Sequence, residues 1–163
     1  KPCLCSEPVP EFDGEKPSLD EVRRSLWEIT LAGAGWVNQN DPSFGWDPRA
    51  AIAAQAAARD RAYGYAGHCA RFFNQSGVRF WEMSPQPNLA STGICLANPG
   101  VAYIVYLPHG GAVTVDLTAV PGTLAAEWIN PRTGASSHGG TVQGGAKREL
   151  RAPGEGDWAL WLK

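Results

Sequence analysis

The spacing of apolar residues changes character once along the 163-residue chain, at the proline-marked segment Ser84–Asn88 (SPQPN), and this limits the fold more than any other feature. Before it, hydrophobic residues recur at helical spacing. After it they fall in short runs broken by turn dipeptides. A chain of this length can bury a core of its own as one domain or two small ones. Its 19 glycines and 13 prolines lack the every-third-residue period of collagen, so they mark turns.

In the first part, Lys1–Val9 (KPCLCSEPV) reads as a short strand closed by prolines. Ser18 is a good N-cap, Glu21 stands three residues later as in a capping box, and Val22, Leu26, Trp27 and Ile29 recur at helical spacing. Leu31–Val37 reads as a second buried strand, with glycines where something packs closely. Asp47-Pro48 then supplies a cap and a first-turn proline for an Ala-rich helix over Arg49–Phe73, weakened by Gly64 and Gly67 at about 1 kcal/mol each. Strand, helix, strand, helix is the grammar of a parallel α/β fold. Two such units are too few to close one.

In the second part, runs at Ile94–Ala97, Ala102–Leu107, Ala112–Leu117, Leu124–Ile129, Lys147–Ala152 and Trp158–Leu162 are separated by NPG, PHGG, VPG, NPRTG and PGEG. Short strands at this spacing predict an antiparallel sandwich or barrel. Val113–Leu117 and Trp158–Leu162 alternate, or nearly so, as half-buried strands do. The expected organisation is α/β followed by all-β, with residues 1–83 and 92–163 as domains and 84–91 as a linker.

Several function classes are disfavoured. The formal charge is −2 and no Lys/Arg block occurs, so neither nucleic acid nor a membrane is an expected partner. The longest apolar stretch, Leu31–Val37, is far below the roughly 18 residues that span a bilayer. The chain begins at Lys1 without a signal-peptide pattern, which suggests a fragment or processed product. Cys3, Cys5, Cys69 and Cys95 are too scattered for a zinc ribbon and read as buried thiols, with one bridge such as Cys69–Cys95 left open. His68, His109 and His138 show no ligand spacing, and no phosphate loop or dinucleotide fingerprint occurs, so no metal or cofactor is expected.

Two places could carry chemistry. Glu7 follows the first strand, and catalytic groups of α/β barrels sit at carboxyl ends of strands. The plainer alternative is an exposed loop residue. After the second strand come Trp36, Asn38, Gln39, Asn40 and Trp46, which offer an aromatic face for a sugar ring and amides for its hydroxyls. An ordinary hydrated loop with a buried Trp explains them equally. Both groups follow consecutive strands and so can face one pocket.

KPCLCSEP, EVRRSLWEITLAGAGW, the Ala-rich helix ending RFF, and FWEMSPQPNL together resemble the last part of the apiosidase-like glycoside hydrolases. GVAYIVYLPHGGAVTVDL, AEWINPRTG and APGEGDWALWL resemble the β-sandwich that follows the barrel in the same proteins, a domain labelled collagen-binding. The resemblance implies the tail of a (β/α)8 TIM barrel, strands seven and eight with their helices, and a C-terminal antiparallel β-sandwich. It implies that Glu7 is the retaining nucleophile, with Trp36, Asn38, Gln39, Asn40 and Trp46 in the sugar site. It also implies a carbohydrate substrate and an extracellular or periplasmic location. Strands one to six, and the general acid/base they carry, are absent from this chain. Retaining hydrolysis needs two carboxyl groups about 5–5.5 Å apart, so the chain alone is expected to be inactive without the missing barrel portion or another copy. In the sandwich, Trp128 and Trp158 read as core or interdomain residues and His109 as a surface one. Arg132 reads as ordering a turn or pairing with a carboxylate, and no residue argues for collagen. A non-catalytic binding or structural module for polysaccharide or protein is the competing reading.

Overall fold

The computed structural model describes residues 3–5, 18–36 and 52–163, with side chains from 18–36 and 60–163. Strand β1 (Cys3–Cys5) and strand β2 (Ala34–Trp36) pair in parallel through helix α1 (Leu19–Leu31), and helix α2 (Ile52–Gln75) follows. The rest is antiparallel: β3 (Ser84–Pro85), β4 (Cys95–Asn98), β5 (Ala102–Leu107), β6 (Ala112–Asp116), β7 (Thr123–Ile129), β8 (Ser136–Gln143), β9 (Lys147–Arg151) and β10 (Trp158–Leu162).

Helix α1 begins as its sequence dictates. Glu21 N donates to Ser18 Oγ at 3.2 Å, and Ser18 N donates back to the Glu21 carboxylate at 2.7 Å, which closes a capping box. Asp20 and Glu21 in the first turn also oppose the positive end of the helix dipole. The helix ends at Ala32, and Gly33, at φ +77°, turns the chain into β2. Helix α2 runs two residues beyond the predicted Phe73. Its predicted start lies outside the described residues.

The antiparallel part is a six-stranded sheet in the order β3-β4-β5-β10-β7-β8, faced by the two-stranded sheet β6-β9. The last strand of the chain lies at the centre, between β5 and β7. One face of the large sheet presents Tyr103, Val105, Leu107, Leu124, Ala126, Trp128, Leu160 and Leu162 to the small sheet, whose Val113 and Val115 complete that core. The other face presents Leu96, Ile104, Tyr106, Ile129, Ala159 and Trp161 to Trp27 and Leu31 of α1 and to Cys69, Phe72 and Phe73 of α2. The molecule is therefore layered: helices, large sheet, small sheet.

This layering corrects one expectation. Trp158–Leu162 was predicted to be half-buried, but from Ala159 onward it is buried on both faces, as is Tyr103–Leu107. A strand covered on two sides reads as a continuous apolar run, which is how AYIVYL and WALWL are written. Ala112–Asp116, open on one side, alternates as predicted. The segment 84–91, expected to be a linker, is instead built into the sheet: Ser84 and Pro85 pair with Ala97 and Leu96, and Ala90 bridges Val115. Strand β8 was not foreseen, because SSHGGTVQ contains two glycines and little that favours a strand.

The helices are seated on the sheet by aromatic packing. The fully buried Trp27 stacks on Tyr106 with centroids 5.8 Å apart and planes 9° apart, and lies 5.6 Å from Phe72 and 6.0 Å from Phe73. Burying such a ring is worth roughly 4–6 kcal/mol of apolar transfer. One polar tie and one close apolar approach reinforce the seat: His68 Nδ1 of α2 lies 3.3 Å from Pro131 O in the β7–β8 turn, and the Gly33 turn lies so close to the Pro85 ring of β3 that a Cβ on Gly33 would stand 3.1 Å from it.

Candidate functional site

Strands β1 and β2 pair in register, Cys3 with Ala34, Leu4 with Gly35 and Cys5 with Trp36, so their carboxyl ends lie abreast. Trp36 closes β2 and is half-buried. Glu7 comes two residues after Cys5 and Asn38 two residues after Trp36. Glu7, Asn38, Gln39, Asn40 and Trp46 themselves lie outside the described residues. The structure thus brings together the two strand ends that the sequence reading relied on, and of the predicted site residues it describes Trp36.

Among the described residues the densest polar cluster lies elsewhere, between α1 and the large sheet. Arg23 donates from Nε to Asp157 Oδ2 at 2.9 Å and from Nη2 to Asp157 Oδ1 at 2.8 Å, while the Tyr106 hydroxyl donates to Asp157 Oδ2 at 2.7 Å. Arg23 also holds Asp20 at 2.7 Å, and its guanidinium lies 4.9 Å from the Tyr65 ring centroid. Asp157 is fully buried and the Arg23 side chain almost so. Burial pushes the Asp157 carboxyl up, but the Arg23 and Tyr106 hydrogen bonds outweigh it, so the group lies below the usual carboxylate range. Burial opposes the Arg23 charge too, and Asp157 and Asp20 more than restore it. The Tyr106 hydroxyl is pushed up by burial and by the negative charge of Asp157. These groups hold opposite charges in fixed states, with the carboxylate oxygens occupied by donors. That suits a clamp and not a nucleophile or general acid.

Sequence reading missed this cluster. Its signal was present in part: Asp157 precedes a strand buried on both faces, where a carboxylate needs a partner. Nothing local distinguished Arg23 from its neighbour Arg24 as that partner.

In the sandwich, Trp128 is buried as expected and meets the half-buried Trp158 edge-on at 6.5 Å. Arg132 both orders a turn and approaches a carboxylate. Its backbone N and Nε donate to Asn130 Oδ1 at 3.0 and 3.2 Å, its Nη2 donates to Glu155 O at 2.8 Å, and its Nε lies 3.9 Å from Asp157 Oδ1. His109 and His138 are exposed. The bridge left open between Cys69 and Cys95 does not form. Both are free and buried, Cys69 in the core on the helix side and Cys95 in the core on the opposite face of the sheet. Burial pushes each thiol up to about 12, so neither is a nucleophile at neutral pH.

Among the described residues no group of three His, Cys, Asp or Glu side chains is placed to hold a metal ion. A shallow cavity of about 130 Å³ lies between Asn88–Ser91 and Thr114, Asp116 and Lys147. It is smaller than the roughly 300 Å³ at which small-molecule sites begin. No described helix is long and apolar enough to cross a membrane.

Residues 90–163 match the family model described as "Putative collagen-binding domain of a collagenase". This collagen-binding-like domain comprises the isolated bridge at Ala90 and strands β4 to β10, and it includes Asp157, whereas its partner Arg23 lies outside it. Two solved structures share the fold over 99% of the chain. One is titled a glycoside hydrolase, at 15% identity and a TM-score of 0.73. The other is a glycoside hydrolase family 5 protein from Bacteroides vulgatus, at 17% identity and a TM-score of 0.75. The chain spans 42% and 41% of their lengths. No curated protein matches it. The collagen-binding-like domain and the helices beside it thus share a fold with parts of glycoside hydrolases.

Proposed function

We propose that the chain is the C-terminal portion of a retaining, apiosidase-like glycoside hydrolase. In this reading residues 1–83 contribute the last two βα units of a (β/α)8 barrel, and the collagen-binding-like domain buttresses them as an antiparallel β-sandwich. Glu7 is the nucleophile, and Trp36, Asn38, Gln39, Asn40 and Trp46 contact the sugar.

The observation that carries this is the parallel β1–β2 pair, in register and joined by α1, with Glu7 and Asn38 each two residues past a strand end. Further support comes from the glycoside hydrolase neighbours, which match the helical part as well as the sheets. Hydrolysis with retention requires attack by one carboxylate on the anomeric carbon, protonation of the leaving oxygen by a second, and then water attack on the glycosyl-enzyme. The chain offers the first carboxylate in Glu7. The second belongs to the barrel portion that this reading places upstream.

The coding sequence upstream of Lys1 and the activity of the full product test the proposal together. Six further βα units with a strand-four carboxylate, and a glycosidase whose kcat falls on the order of 10³-fold or more in Glu7→Gln, are the expected results. An unrelated upstream sequence, or a Glu7→Gln enzyme as active as its parent, overturns it.

The second reading is a non-catalytic module for polysaccharide or protein. The family match to residues 90–163 favours it, because that stretch contains neither Glu7 nor Trp36. Hydrolysis by the full product would decide against it.

A further inference from the structure

Trp81 is 68% exposed, the most exposed large apolar side chain among the described residues. A free, flexible Trp would signify little, but this one is held. It sits in a short 3₁₀ turn, Phe80–Glu82, closed by Glu82 N donating to Arg79 O and Met83 N to Phe80 O, each at 3.0 Å. Phe80 meets Trp81 edge-on at 5.4 Å and meets Phe73 edge-on at 5.8 Å, and Phe73 is buried in the core between helices and sheet. A chain of rings therefore runs from the core to the surface, and the outermost face is already ordered. Ordering before binding lowers the entropic cost of a ligand.

Polar groups surround the turn. Arg79 and Glu82 form an ion pair across it, and after it Ser84 Oγ accepts from Gln86 Nε2 at 3.0 Å. The preceding residues Asn74–Gly77 are exposed and polar. The apolar patch cannot grow along the chain in either direction. Its size also selects the occupant: Trp81 and the 40% exposed Phe80 together leave roughly 250 Å² open, whereas a stable protein interface takes about 800 Å² per partner. That area fits one sugar ring, whose C–H face stacks on an indole while its hydroxyls meet guanidinium, carboxylate and amide groups.

We propose that Trp81, supported by Phe80 and flanked by Arg79 and Glu82, is a stacking platform for a pyranose unit of a polysaccharide, built from a different stretch of the chain than Glu7 and Trp36. It holds whether or not Glu7 acts on a glycoside.

Native electrophoresis of the whole chain in gels containing soluble arabinoxylan, rhamnogalacturonan or carboxymethyl-cellulose tests it. The parent should be retarded by at least one of the three. Trp81→Ala should lose at least tenfold in apparent affinity with its thermal unfolding unchanged, and Val101→Ala, at another exposed apolar position, should bind as the parent does. Retardation by none of the three, or equal retardation of parent and Trp81→Ala, overturns the platform. So does a parent that is dimeric in sedimentation and becomes monomeric in Trp81→Ala, because the ring would then seat a second copy.

Discussion

Asp157 carries charge where no water reaches it, so its worth depends on its partners. Truncating it to Ala leaves the Arg23 guanidinium buried with one of its three hydrogen bonds, the one to Asp20, and breaking such a pair costs about 3–5 kcal/mol. Denaturant unfolding of Asp157→Ala should show that loss. Adding Arg23→Met should recover part of it, because two apolar residues leave no orphan charge. The pH dependence has a definite sign. The carboxyl is lowered in the folded state, so its contribution is complete above the ordinary carboxylate value near 3.8 and is lost as pH falls through the lower folded value. The gap between parent and Asp157→Ala should therefore close in strong acid. A gap that stays constant there would mean the carboxylate is not what stabilises the clamp.

At the scale of elements, α1 was legible because its signals are local. Ser18 and Glu21 define its start within four residues, and Ser18→Ala should cost about 1 kcal/mol by denaturant titration. A value near zero would show that packing alone fixes the helix start. Strands β5 and β10 were legible as apolar runs, and the turns NPG and PHGG between runs carry glycines at positive φ, such as Gly100 and Gly110. What could not be read was which faces those strands bury, since periodicity is silent when both sides are covered. Strand β8 escaped because Gly139 serves packing and not propensity: a Cβ there would stand 2.9 Å from the Trp128 ring. The parallel pairing of β1 with β2 followed from element order, whereas the tie between Arg23 and Asp157 spans 134 positions and no local rule reaches that far.

For the whole molecule, the large sheet is covered by helices on one side and by β6-β9 on the other, so the part matched by the family model does not end in a polar face. Residues 84–163 expressed alone would expose Leu96, Ile104, Tyr106, Ile129 and Trp161 and leave Asp157 without Arg23. That piece should bind more hydrophobic dye, or self-associate more, than the whole chain does; an 84–163 piece no more dye-positive than the whole chain would show that the helices are dispensable. The sheet also has two ends. At one, the eight-residue β8 leaves a long, exposed border. At the other, Gln86 turns its N–H inward to Cys95 O at 2.7 Å, so the outward-facing donors would belong to positions 85 and 87, and both are proline. A second copy that laid its β3 along β8 would find no row of donors to zip against. Growth of sheet on sheet into a filament needs two receptive borders, and this six-stranded sheet keeps only one.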